Sequence, residues 1–354
     1  MDLCRAGWLC LLVLTCSGSF VSLDMKAMPD EVFGLVYSAY TINLQVGSPP
    51  QSVDVLVDGG LDPLFLFTPN CTQRGCGTKY FYPTQSSSLQ YTGNSLNYTY
   101  AAGNLNVVGD IAVDQAIVAG ELDLNQQVGL INQMTQPNYY PPSNDALSGV
   151  FGFAYPSDEL KDLALVNNFA TQNQLPNSMS IWLPNSIYDS GVLTIGDVNP
   201  NLYNGTINYV PLLDSTWAKR DYPFFWSNVV SDIKVNGKSN GKCTGRKTCN
   251  FFVDLAARPM DVGNSLPSIN VAPDCSNIND LDTYTFVIGG IDYVMTPKDY
   301  VIQYYEGNQT MCESGIHTGL APIPFTLGYT WIRNFYTVLN FEDKLLGFAP
   351  AIAK

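Results

Sequence analysis

Histidine is almost missing from this 354-residue chain: His317 is its only one. A single imidazole leaves no room for a histidine-rich zinc site and little for a Ser–His–Asp hydrolase. Basic residues are also few. Lys and Arg number 17 against 31 Asp and Glu, for a formal net charge of −14. So acidic a chain argues against nucleic acid or an anionic membrane as partner. It suits acid surroundings, where part of the carboxylates become neutral. Gly/Ser segments such as "GNSLP", starting at Gly263, lack the strand–turn–helix setting of a phosphate loop or a nucleophile elbow. No metal and no other cofactor is expected.

Long apolar runs are missing too, outside the first residues. "MDLCRAGWLCLLVLTCSGS" places Arg5 before an apolar stretch and Ser17, Gly18 and Ser19 after it. This pattern reads as a signal peptide over residues 1–19, its apolar part being short and weak for a membrane anchor. No later stretch is long enough to span a bilayer. The expected location is outside the cell or in the lumen of the secretory or lysosomal pathway. Of the 9 cysteines, Cys4, Cys10 and Cys16 fall in that leader. The other six are Cys71, Cys76, Cys243, Cys249, Cys275 and Cys312. An even number in an exported chain favours disulfides over zinc. Six cysteines allow fifteen connectivities. Proximity pairs Cys71 with Cys76 and Cys243 with Cys249, and leaves Cys275 with Cys312. Sequons at Asn70, Asn97, Asn204 and Asn308 fit glycosylation of an exported protein.

What the chain does have is β pattern. Its length exceeds one ordinary domain and suggests two lobes with a core each. Hydrophobic residues make up 46% and charged residues 14%, a globular composition. "YTINLQVGSPPQSVDVLV" reads as two strands around a Gly47–Pro50 turn, and "NYTYAAGNLNVVGDIAVDQAIVAG" as two more around Ala101–Asn104. "GVLTIGDV", "GTINYVPL", "VSDIKVNGK", "YTFVIGGIDYVM" and "FYTVLNFEDKLLGFAP" continue the pattern. Helical periodicity is scarce. "SDELKDLALVNNFATQNQ", with Ser157 as N-cap and Glu159 in the first turn, is the main candidate. "TPKDYVIQY" is a short second one.

Two stretches repeat in both halves. "VLVDGGLDPLFLF" delivers Asp58 from an apolar strand into glycines, and "FFVDLAARPMDV" does the same with Asp254 and small residues. Later in each half comes an apolar-Gly-aromatic segment, "GVFGFAYP" and "FTLGYTWI". The long period points to lobe duplication and not to a solenoid.

In these residues, from about Tyr37 to Pro350, the chain resembles the pepsin-like aspartic proteases. The resemblance implies an all-β fold with a few short helices: two lobes, 37–205 and 206–354, around a substrate cleft. Residues 20–36 are a short N-terminal segment in this reading. It places Asp58 and Asp254 on the two catalytic aspartates and Gly60 on the retained motif glycine. Tyr100 falls on the tyrosine of the flap that closes over substrate, with Gly103 at its tip. It pairs Cys71 with Cys76 as the first small loop and Cys275 with Cys312 as the last. In this family two adjacent carboxylates share one proton, because like charges that close cannot both ionise.

Departures from the family pattern cluster around the two acids. Asp-Thr-Gly followed by Ser or Thr becomes Asp58-Gly59-Gly60-Leu61 and Asp254-Leu255-Ala256-Ala257. Gly59 and Leu255 carry no hydroxyl to lock the loops across the lobes, and Leu61 and Ala257 none for the carboxylates. Each such bond to a charged group is worth about 1.5–3 kcal/mol. The β-carbon of Ala256 is expected to crowd its loop. Asp62 and Arg258 occupy equivalent places; Arg258 either faces the acids, pairs with Asp62 or lies in solvent. Phe65 stands for a tryptophan whose N–H bonds the flap tyrosine, and Tyr329 for an aspartate. About twenty residues, with Lys26 their sole base, separate the leader from the first strand, so no masking prosegment is expected. The implied protein is a monomer that binds a peptide or protein segment in its cleft, with aspartic endopeptidase activity lost or strongly impaired. A working endopeptidase with an unusual aspartate pair is the alternative. A scaffold using only its outer loops is the third class.

Overall fold

The computed structural model describes residues 19–32, 35–73, 75–100, 105–120, 122–135, 147–155, 161–213, 225–245, 249–256, 259–319 and 324–353. The expected leader lies outside them. The chain is mostly β. Its first half forms β1 (Phe20–Val32), β2 (Leu35–Val46), β3 (Gln51–Asp58), β4 (Leu64–Phe67), β5 (Gln90–Tyr100), β6 (Leu105–Val118), β7 (Leu122–Thr135), β8 (Gly149–Gly152), β9 (Ser178–Trp182) and β10 (Gly191–Gly196). The second half forms β11 (Asn208–Pro211), β12 (Ser227–Val230), β13 (Asp232–Val235), β14 (Lys238–Ser239), β15 (Cys249–Val253), β16 (Met260–Asp261), β17 (Tyr284–Ile288) and β18 (Ile291–Met295). It continues with β19 (Val301–Glu306), β20 (Gln309–Ser314), β21 (Phe325–Leu327), β22 (Phe335–Asn340) and β23 (Leu345–Pro350).

The same small device occurs in each half. β8 lies parallel to β3, with Asp58 opposite Gly152, and β4 runs antiparallel along its other edge. In the second half β21 lies parallel to β15, with Val253 opposite Leu327, and β16 runs antiparallel along its other edge. Asp58 thus ends β3 and Asp254 directly follows β15, each beside a central partner, and the chain must turn at once to reach the far side of that partner. Small residues after each acid suit that turn. Strands covered on both faces read as near-continuous apolar runs. Leu64–Phe67 and Gly149–Gly152 are buried throughout.

The lobes are not separate bodies joined by a tether. One 13-stranded sheet runs β11-β23-β22-β9-β10-β1-β2-β3-β8-β4-β7-β6-β5, and β9 pairs with β22 across the two halves. Residues 20–32, assigned from sequence to a short N-terminal segment, form β1 within this sheet. Phe20–Met25 pair with β10 and Lys26–Val32 with β2. A single apolar core takes Val55, Val57 and Phe153 from one half and Trp226, Val253 and Leu255 from the other.

The main helix is Leu165–Asn173, preceded by a 3-10 turn at Lys161–Leu163; its N-cap is Ala164, with no side-chain cap. Ser157 and Glu159 lie outside the described residues. In "TPKDYVIQY" only Pro297–Tyr300 is helical, started by a Thr296/Asp299 capping box, and Val301 onward is β19. The β-branched Val301 and Ile302 explain the switch. The cysteine pairs are Cys71–Cys76, Cys243–Cys249 and Cys275–Cys312.

Candidate active site

The ends of β3 and β15 meet at the lobe boundary. Asp58 and Asp254 are 5% and 4% exposed, so both carboxyl groups sit almost wholly inside the protein. Burying such groups is costly unless hydrogen bonds compensate. The loops supply those bonds from their own backbone. The Gly60 N–H donates to Asp58 Oδ1 at 2.7 Å, and the Ala256 N–H donates to Asp254 Oδ1 at 3.0 Å. A third bond crosses between the lobes: the Gly59 N–H donates to Asp254 Oδ1 at 3.2 Å. The Asp254 carboxylate therefore lies one peptide unit from Asp58. Two acids that lie 196 positions apart in the chain, as 254 minus 58, are brought to one place.

The loops carrying them are held by apolar packing. Leu255 is fully buried in the shared core, and Leu61 is buried in a second cluster with Phe65 and Tyr98. Ala256, from the opposite lobe, packs against that second cluster. Its extra β-carbon is accommodated, and its N–H still reaches Asp254. Behind the pair, the Trp226 indole N–H donates to the Phe153 carbonyl at 2.8 Å, a second bond across the lobes. The Trp226 carbonyl in turn accepts from the Val253 N–H at 2.9 Å.

Asp62 is completely buried, and the Tyr98 hydroxyl lies close to its carboxylate. Tyr98 lies on β5, two residues before Tyr100, and its ring centre stands 6.0 Å from that of Phe65. Burial, then the negative charges of Asp62 and Asp58, push the Tyr98 phenol far above its ordinary range. The Phe65 side chain has no N–H to offer, and the β5 side chain whose polar atom lies near the aspartate loop here is Tyr98, beside Asp62. Sequence reasoning singled out Tyr100 and missed Tyr98. The signal was available, since residues two apart in a strand share a face.

Tyr100 ends β5 opposite Leu105. Its side chain, Gly103, Ala257 and Arg258 all lie outside the described residues, so the direction of Arg258 is not described. The Tyr329 hydroxyl donates to the Pro184 and Asn185 carbonyls at 3.4 and 3.0 Å. Asn70, Asn97, Asn204 and Asn308 are all exposed. Among the described residues no group of three His, Cys, Asp or Glu stands close enough to hold a metal, and no helix is long and apolar enough to cross a membrane.

Comparison with known proteins agrees with this geometry. Residues 39–351 match the family described as eukaryotic aspartyl protease. Pepsin-2B of Gadus morhua is 27% identical over 329 residues, covering 87% of this chain and 94% of that protein. Cathepsin E-A of Xenopus laevis is 29% identical over 335 residues, covering 88% and 79%. Cathepsin D of Dictyostelium discoideum is 29% identical over 335 residues, covering 89% and 83%. The chain, with its paired β3–β8–β4 and β15–β21–β16 units and an aspartate at the end of each first strand, belongs to the eukaryotic aspartyl protease family.

Proposed function

We propose that this protein is an exported member of the family that holds a peptide or protein segment between its lobes and cleaves it feebly or not at all. The observation that carries the reading is the makeup of the two aspartate loops. Positions 59, 61, 255 and 257 bear no hydroxyl, and backbone N–H groups of residues 59, 60 and 256 donate to the carboxylates. Hydroxyl donors fine-tune where a carboxylate points, and small misplacements of catalytic groups are expensive in rate. Binding tolerates them better, because a cleft gains affinity over its whole length.

Retention of both aspartates at one place favours a second reading, an active endopeptidase. In that chemistry the pair shares a proton. The ionised carboxylate takes a proton from water as its oxygen attacks the scissile carbonyl carbon. The protonated one donates to the carbonyl oxygen, and the tetrahedral intermediate then expels the amine as it gains a proton. A single experiment separates the readings: digestion of a denatured protein from pH 2 to pH 7, with and without a transition-state-mimicking peptide, beside an Asp58→Asn control. Tight binding of the peptide without cleavage supports the first reading. Inhibitor-sensitive cleavage that the control lacks establishes the second. Failure of both would leave the outer loops as the functional surface.

A further inference from the structure

We propose that Phe153 is the positioning residue of the Asp58 loop, its ring standing where a side chain at position 59 would stand. The inference deepens the cleft reading and rests on it. Phe153 directly follows β8 and is 1% exposed. Three of its parts touch the site. Its N–H donates to the Asp58 carbonyl at 2.9 Å, and its carbonyl accepts the Trp226 indole N–H from the other lobe. Its ring covers Gly59. A β-carbon at Gly59 would fall 2.8 Å from Phe153 Cζ, 2.9 Å from Cε2 and 2.7 Å from the Val253 carbonyl oxygen. Those separations are shorter than real contacts, so no side chain fits without movement.

Glycine at 59 and phenylalanine at 153 are therefore one packing solution. The missing β-carbon lets the Val253 carbonyl and the Asp254 carboxylate approach the N-terminal loop, which is the approach the Gly59 N–H to Asp254 bond requires. The ring then fills the space. In this protein the hold on the Asp58 loop passes to an aromatic side chain buried in the core shared by both lobes.

The test is a cycle of Gly59→Thr, Phe153→Leu and the double variant. Leucine ends short of the Cζ and Cε2 atoms that obstruct position 59. The probe is a neutral hexapeptide with a secondary hydroxyl in place of its central amide, compared with its deoxy analogue. Only the hydroxyl meets the aspartate pair, so the ratio of the two affinities reports positioning, which a merely structural defect would leave alone. Gly59→Thr is expected to shrink that ratio about tenfold or more. Adding Phe153→Leu is expected to recover about threefold of the loss, short of the starting value because the Val253 carbonyl still crowds position 59. Phe153→Leu alone is expected to shrink the ratio about threefold.

A folded Gly59→Thr protein with an unchanged ratio overturns the proposal, and so do two effects that simply add. If Gly59→Thr does not fold, an unchanged ratio in Phe153→Leu overturns it. Wild-type protein that binds neither peptide sinks the cleft reading. The same cycle followed by urea midpoint then decides the packing claim by itself, additivity again overturning it.

Discussion

Replacing Tyr98 by phenylalanine removes one oxygen and keeps the ring against Phe65. The lost hydroxyl belongs to a buried residue beside Asp62, a carboxylate with no exposure at all, and is expected to donate to it. A bond of this charged kind contributes about 1.5–3 kcal/mol net. Unfolding entropy near 2.1 cal/mol/K per residue gives about 0.7 kcal/mol/K for a chain of this size, so the midpoint should fall by about 2–4 °C. Calorimetry of wild type and Tyr98→Phe at neutral pH measures it. The cause is isolated by repeating the substitution in an Asp62→Asn background, where the acceptor is uncharged. The same change should then cost about 1 kcal/mol or less. Equal costs in the two backgrounds would refute the Tyr98–Asp62 link as the source, and with it the tie between β5 and the aspartate loop.

Three further outcomes follow from other parts of the molecule. Arg333 is 5% exposed and donates to the carbonyls of Asp299, Val301 and Asn185, so Arg333→Lys, which lacks the planar fork, should lower stability by about 1.5–3 kcal/mol in urea unfolding. Opening Cys275–Cys312, at a separation of 37 residues, should cost about 4 kcal/mol against about 2 kcal/mol for Cys71–Cys76, at a separation of 5, on the chain-entropy model; equal losses would contradict it. Burial raises the phenols of Tyr40, Tyr98, Tyr329 and Tyr336, and pushes Tyr284 and Tyr293 up to about 12. A raised folded value means these neutral phenols stabilise the fold fully below the unfolded value near ~10, and that contribution is lost as pH rises through the folded values. Unfolding and phenolate absorbance should therefore appear together between about pH 10 and 12; independent titration at constant stability would contradict the burial.

The parts of the fold legible in sequence are those written locally. Alternation placed β2, β3, β10, β17 and β23, and short separations paired two of the cysteine couples. The two aspartates were visible because each ends an apolar strand in small residues. β1 was overlooked although Leu23 and Met25 are buried while Asp24 and Lys26 are exposed, a period of two. Its charges and Pro29 masked the pattern. The partners of the aspartate loops were not legible, because they depend on contacts far apart in the chain. Phe153 covers Gly59 only because β8 returns parallel to β3, and Trp226 reaches Phe153 only once the lobes close. The loss of hydroxyls was plain from sequence, but the apolar packing that takes their place was not.

The central claim is that Asp58 and Asp254 form one binding centre in a shared groove. Titration calorimetry with the hydroxyl-bearing peptide tests it most directly, on wild type and on Asp58→Asn. The account predicts one peptide bound per chain and an affinity reduced about tenfold or more in the variant, since one partner of the hydroxyl is altered. No binding by the wild type, or equal affinity in both proteins, would contradict it.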